Sequence, residues 1–171
     1  MINIEETIRQ LTGNAGAMRA LVQTISNEQA QWKPNPDTWS MQQVMEHVYN
    51  EERIDFRKIL NRMLIAPSQS SGESLNEEYV PVASCHQALN GFLMEREASI
   101  KWLRTLKSPD WNVPSQWPFG PEGIVTTFSA GDVLLSWVEH DILHLRQVIE
   151  LQHAWNEKQA SPYSLMYAGG W

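Results

Sequence analysis

The chain has a single cysteine, Cys85, among its 171 residues. No intramolecular disulfide framework can therefore form, and such cysteine usage fits a reducing compartment. Positive charge is also scarce. Thirteen Lys and Arg stand against twenty Asp and Glu, a formal net charge of −7, so no basic stripe is available to neutralise phosphates and a nucleic-acid partner is excluded. No apolar run approaches the roughly 18 residues of a membrane span, so none is expected and no membrane partner with it. The first residues, Met1 to Glu6, lack the basic and apolar regions of a signal peptide. Together these absences predict a soluble, cytoplasmic protein. Internal repeats, low-complexity tracts and domain linkers are missing too, and residues 1–171 read as one domain, long enough to bury a core without disulfides.

What is present is helical periodicity. Ile4, Ile8, Leu11, Ala15, Met18, Leu21, Val22 and Ile25 recur at intervals of three and four, the pattern of an amphipathic helix. Asn27 to Asp37, with Pro34 and Pro36, reads as a loop. Ser40-Met41-Gln42-Gln43 has the form of a capping box and predicts a second helix from Met41 to about Ile65. Ala66 to Ala83 is a long surface connection. Ser84-Cys85-His86-Gln87 repeats the capping form and opens a third helix with apolar positions Leu89, Phe92, Leu93, Ile100, Leu103 and Leu106, closed by Ser108-Pro109-Asp110. Ile124–Phe128 is a candidate strand, pairing with Trp111-Asn112-Val113 in a small hairpin. Ser129-Ala130-Gly131-Asp132 caps a fourth helix running to about Trp155, and the tail from Asn156 is irregular or at most a short turn of helix. The fold class that follows is all-α: an antiparallel four-helix bundle, with a hairpin before the last long helix.

The last helix organises the chemistry. Val133, Trp137, His140, His144, Val148 and Leu151 share one stripe, so two histidines stack one turn apart on a face meant for the core. A buried imidazole needs partners for both ring nitrogens. The pair is either two core histidines satisfied by carbonyls or carboxylates, or two ligands of a divalent metal. His47, bordering the apolar stripe of the second helix, is the candidate third ligand, because bundles build metal sites from facing helices. Three histidines with an open position form the arrangement of a catalytic site. Zinc, nickel, iron and manganese all suit imidazole.

The run Gln31-Trp32-Lys33-Pro34, then Trp39-Ser40 leading into His47, and His140-x-x-x-His144-x-x-Gln147 on the last helix, resembles the DinB-like (YfiT-like) four-helix bundles over nearly the whole chain. The resemblance implies a divalent metal held by His47, His140 and His144 at one end of the bundle. It also implies chemistry on a small-molecule substrate, either hydrolysis or transfer with a low-molecular-weight thiol as candidate co-substrate. The rival reading is a non-catalytic metal-binding or stress-associated interaction protein. No H-E-x-x-H hydrolase motif is present, and Asp141, after His140, is expected to point away from the site.

Around the ligands, Glu51 lies one turn beyond His47 and is the candidate general base or partner of a histidine N–H; its bland reading is a solvated glutamate. Gln147 could orient a water or substrate, or simply bond another helix. Trp32, Trp39, Trp111 and Trp117 sit in loops that could roof one end of the bundle, with Trp39 a candidate substrate contact. Cys85 reads as structural, and His86 and His153 as surface residues. Leu134, Leu135, Val138, Ile142, Leu145 and Ile149 make a second apolar face on the last helix, to be covered by the tail or by a second subunit in a homodimer.

Overall fold

The computed structural model describes residues 2–65, 78–119 and 123–170, with residues 117–119 described by backbone alone. Helix α1 spans Ile4–Val22, and Asn3 caps it by accepting from the Glu6 N–H. The next stretch corrects the loop expected over 27–37. Ser26 accepts from the Gln29 N–H and opens a short helix α2, Asn27–Gln31, which buries Ala30. Both prolines fall after it, so only the second half of the stretch is loop.

The capping box at Ser40 forms as expected, with Ser40 accepting from the Gln43 N–H and Gln43 from the Ser40 N–H. The helix it opens is not continuous to Ile65. It breaks at Asp55, whose φ of −109° and ψ of −96° leave the helical region, into α3 (Met41–Ile54) and α4 (Phe56–Ile65). No proline or glycine marks this break. It sets Phe56 parallel to Trp137, ring centroids 5.7 Å apart.

Most of the connection expected over 66–83 lies outside the described residues. Helix α5 covers Cys85–Leu103 and stops before Ser108-Pro109-Asp110. The hairpin exists with a different partner strand: β1 (Pro114–Phe119) pairs antiparallel with β2 (Ile124–Ser129), Trp117 opposite Thr126. Trp111 and Val113, expected in that strand, instead accept at their carbonyls from the Gly131 and Ala130 N–H groups. Glycine at 131 eases this close approach, because a Cβ would stand 2.8 Å from the end of the Ile2 side chain and 3.2 Å from the Trp111 carbonyl. Helix α6 runs Ala130–Ala160, a turn beyond the expected end, from a capping box at Ser129.

The long helices form a four-helix bundle. Helix α1 packs against α5 and α6, and α3 against the same two, with α4 continuing along α6. Successive long helices α1 and α3 are therefore diagonal, and α3 and α6 are neighbours. The apolar interior divides into two clusters. One centres on Met18, Val44, Met45, Phe92 and Val148; the other on Leu11, Leu60, Met63, Leu103, Leu134 and Trp137. Between them lies a polar layer of Glu52, Arg96 and Asp141, each about 2% exposed. No helix among the described residues is long and apolar enough to cross a membrane.

The second face of α6 is only half covered. Leu134 and Leu145 are buried, but Leu135, Ile142 and Ile149 remain 40–53% exposed, joined by Leu143. The described tail does not fold back over them; Tyr163, Met166 and Tyr167 are themselves open to solvent.

Candidate metal centre

Helices α3 and α6 bring the three histidines together. His47 Nε2 stands 3.2 Å from His140 Nε2, which stands 3.1 Å from His144 Nε2, and all three ligand atoms lie within 4.8 Å of one another. All three residues are half-buried, at the edge of the packed interior. The centre of the buried stripe on α6 runs instead through Leu134, Trp137, Asp141, Leu145 and Val148.

The tautomers decide what such a cluster can hold. Gln147 Oε1 can only accept, so its 3.0 Å contact with His144 Nδ1 places the proton on Nδ1 and leaves Nε2 a bare lone pair. On the other side the Tyr79 hydroxyl donates to Glu51, so at 3.3 Å it accepts from His47 Nδ1, and His47 Nε2 is likewise bare. Two lone pairs thus face His140 Nε2, which carries at most one proton. One contact stays unsatisfied among protein groups, and a cation resolves it. Nitrogens bound to one metal at about 2.0–2.1 Å stand roughly 2.8–3.4 Å apart for angles between octahedral and tetrahedral, which matches the His47–His140 and His140–His144 spacings. The donor set fits a divalent metal.

Burial and mutual repulsion keep the rings neutral, as ligation requires. Burial, then His144, lowers the pKa of His47 to about 4. Burial, then His144, His47 and Arg96, lowers His140 to about 3. Burial also lowers His144, partly opposed by its bond to Gln147. Glu51 moves the other way: burial, then the hydrogen bond and charge of Asp55, raise it to about 8. It is not an ordinary solvated glutamate.

Trp39 is 41% exposed, with its ring edge-on to His47 at 5.2 Å and parallel to His144 at 6.5 Å. The remaining tryptophans do not join it in one roof. Trp32 pairs with Trp155, with Lys158 over both rings, and Trp111 packs into the second apolar cluster; the Trp117 side chain lies outside the described residues. Cys85 is fully buried, its thiol pushed up to about 12 by burial. His86 and His153 stay apart from the site, beside the Gln23 carbonyl and Glu157.

Three participants were not read from the sequence. Tyr79 comes from a connecting segment with no periodicity to place it. Phe56, at 5.1 Å from the His140 ring, depends on the break at Asp55. Arg96, paired with Asp141, left a usable signal: it falls on the apolar stripe of α5 between Phe92 and Leu103, and an arginine there needs buried partners.

The DinB superfamily model matches residues 10–148, a span that holds all three histidines. The chain belongs to the DinB superfamily. A solved structure, that of YfiT from Bacillus subtilis, described as a probable metal-dependent hydrolase with an unusual four-helix bundle topology, matches this DinB chain with a TM-score of 0.71. The alignment has 14% identity and covers 96% of this chain and 92% of that one. At that identity the likeness is one of fold. No curated protein matches the sequence.

Proposed function

We propose that this DinB-superfamily chain is a divalent-metal-dependent enzyme acting on a small molecule, with His47, His140 and His144 as ligands. The observation that carries the reading is the convergence of three Nε2 atoms, with Gln147 and Tyr79 placed at the Nδ1 atoms of two of the rings, where they favour the tautomer with a free Nε2. The probable metal-dependent hydrolase activity ascribed to YfiT supports hydrolysis. Transfer to a low-molecular-weight thiol is the second reaction a three-histidine site accommodates. When bound, the cation supplies a Lewis acid able to acidify a water or a thiol. The protein's own part is to orient and to hold protons. Gln147 and Tyr79 fix the imidazole tautomers, Glu51 keeps a proton beside His47, and Trp39 presents an aromatic wall to a substrate.

A non-catalytic metal-binding or interaction role is the rival. The half-exposed Trp39 and Tyr79 beside half-buried histidines favour catalysis, because a site reachable from solvent admits a substrate. Metal analysis of the purified protein tests the assignment. Stoichiometric metal in the wild type and none in His140→Ala/His144→Ala is expected; retention by the double variant would refute it. A screen for hydrolysis and thiol transfer with the identified metal then separates the reactions.

We further propose that a second copy covers the exposed face of α6. Arg146 and Glu150 flank Ile142 and Ile149 there, half or more exposed and paired with each other along the helix at 3.4 Å. About a two-fold axis such pairs can exchange partners, the arginine of one copy meeting the glutamate of the other.

A further inference from the structure

We infer that Arg96, on a helix that supplies no ligand, positions the metal centre by locking α3 against α6. The inference rests on the metal assignment proposed above. The guanidinium has five N–H donors in a planar fork, and every one is engaged. Nε and Nη2 donate to the two oxygens of Glu52 at 3.0 and 2.8 Å. Nη1 and Nη2 donate to the two oxygens of Asp141 at 2.6 and 2.8 Å. Nη1 also reaches the Leu11 carbonyl at 3.0 Å. Two further groups complete the layer: the Trp137 indole N–H donates to Glu52 at 2.8 Å, and the Asn14 amide to Asp141 at 3.4 Å. One side chain thus ties α1, α3 and α6 to α5.

The two carboxylates are placed where they fix the ligands. Asp141 follows His140 directly on α6, and Glu52 lies on the helix of His47, beyond Glu51. A slide of α3 by one residue moves it about 1.5 Å along its axis, enough to break both bonds from Arg96 to Glu52. Metal ligation tolerates only about 0.2 Å. Two bidentate pairs on one rigid plane set rotation as well as height, which apolar packing alone leaves looser. The layer also sits where stability gives no reason for it. It interrupts the apolar interior between the two clusters, and well-packed apolar residues in place of a buried ion triad are often as stable or more so. A positioning role accounts for keeping it.

The test compares wild type, Arg96→Lys, and the triple variant Arg96→Met/Glu52→Gln/Asp141→Asn. Circular dichroism and urea unfolding follow the fold. Cobalt(II) titration follows affinity, and the cobalt d–d spectrum follows ligand geometry. Lysine keeps the charge and loses the fork. Both variants should remain helical, bind cobalt about 10–100-fold more weakly, as loss of outer-shell support does, and show a shifted d–d spectrum. A folded variant with wild-type affinity and spectrum would overturn the inference while leaving the three-histidine site intact. A wild type that binds no cobalt would overturn the metal assignment, and this inference with it. Should the triple variant fail to fold, Arg96→Lys and Glu52→Gln, which keeps the side-chain shape and weakens its pair with Arg96, decide the matter by the same two readouts.

Discussion

His140 stands at the meeting point of two other imidazoles, a phenyl ring and the buried arginine layer, and these neighbours set its chemistry. Its pKa is lowered to about 3 and that of His47 to about 4, from an ordinary 6.5. A histidine whose folded pKa is depressed stabilises the fold fully only above the unfolded value. That contribution is lost as pH falls through 6.5 towards the folded values, because the unfolded chain takes up the protons first. In metal-free protein the urea midpoint should therefore fall between pH 7 and pH 4 more steeply for wild type than for His47→Gln/His140→Gln/His144→Gln. Parallel profiles for the two proteins would show that the rings are not held neutral. Cys85 supplies a second residue-scale prediction. Buried, with its thiol raised to about 12, it should resist iodoacetamide at pH 8 in native protein and react once the chain is unfolded. The ligand histidines could be read from the sequence because helical spacing puts His140 and His144 on one stripe. Tyr79 could not, since a residue reaching in from a connection has no period.

Caps proved the most readable element signals, because they are local. A serine with an acceptor side chain three residues on satisfies two end N–H groups whatever the rest of the chain does, and this held at Ser40 and Ser129. Ser40 is also 4% exposed and next to Trp39, so it anchors the start of α3 beside the site. Ser40→Ala should cost about 1 kcal/mol by urea unfolding, with helix content retained; no measurable loss would mean that tertiary packing alone sets this end. The break at Asp55 is the opposite case. Periodicity continues across it, and the departure comes from tertiary demands. Glu51 and Asp55 share a hydrogen bond in a buried setting, and Phe56 must turn to stack on Trp137. The strand partner differs from the one expected for a related reason. Trp111 and Val113 carry a β-like composition, but their carbonyls are taken by the first turn of α6, which moves the ladder to the residues that follow.

At the scale of the molecule, the ligand histidines lie half-buried at the edge of an interior filled by two apolar clusters, so the fold is expected to stand without the metal. Metal removal should leave the circular dichroism spectrum helical at room temperature. With free metal a hundredfold above Kd, linkage amounts to about 2.7 kcal/mol, roughly 5–10 °C in Tm for a chain of this length. Collapse to a coil spectrum on chelation would mean that the site builds the fold.

Assembly is the remaining question at this scale, and it turns on α6. Leu135, Ile142, Leu143 and Ile149 are exposed together, and covering one such side chain fully is worth about 1.5–3 kcal/mol, large against a folding stability on the order of 10 kcal/mol. The tail is the nearest candidate cover within the chain, yet residues 161–170 are exposed throughout. A second copy is then the simplest occupant, since one self-complementary face closes on itself about a two-fold axis. Light scattering should give twice the monomer mass for full-length protein and for a chain ending at Ala160. Ile142→Glu/Ile149→Glu should halve that mass without loss of helix, because four carboxylates would then face one another across the axis. A full-length monomer that associates only after the tail is removed would refute the dimer and assign the cover to the tail.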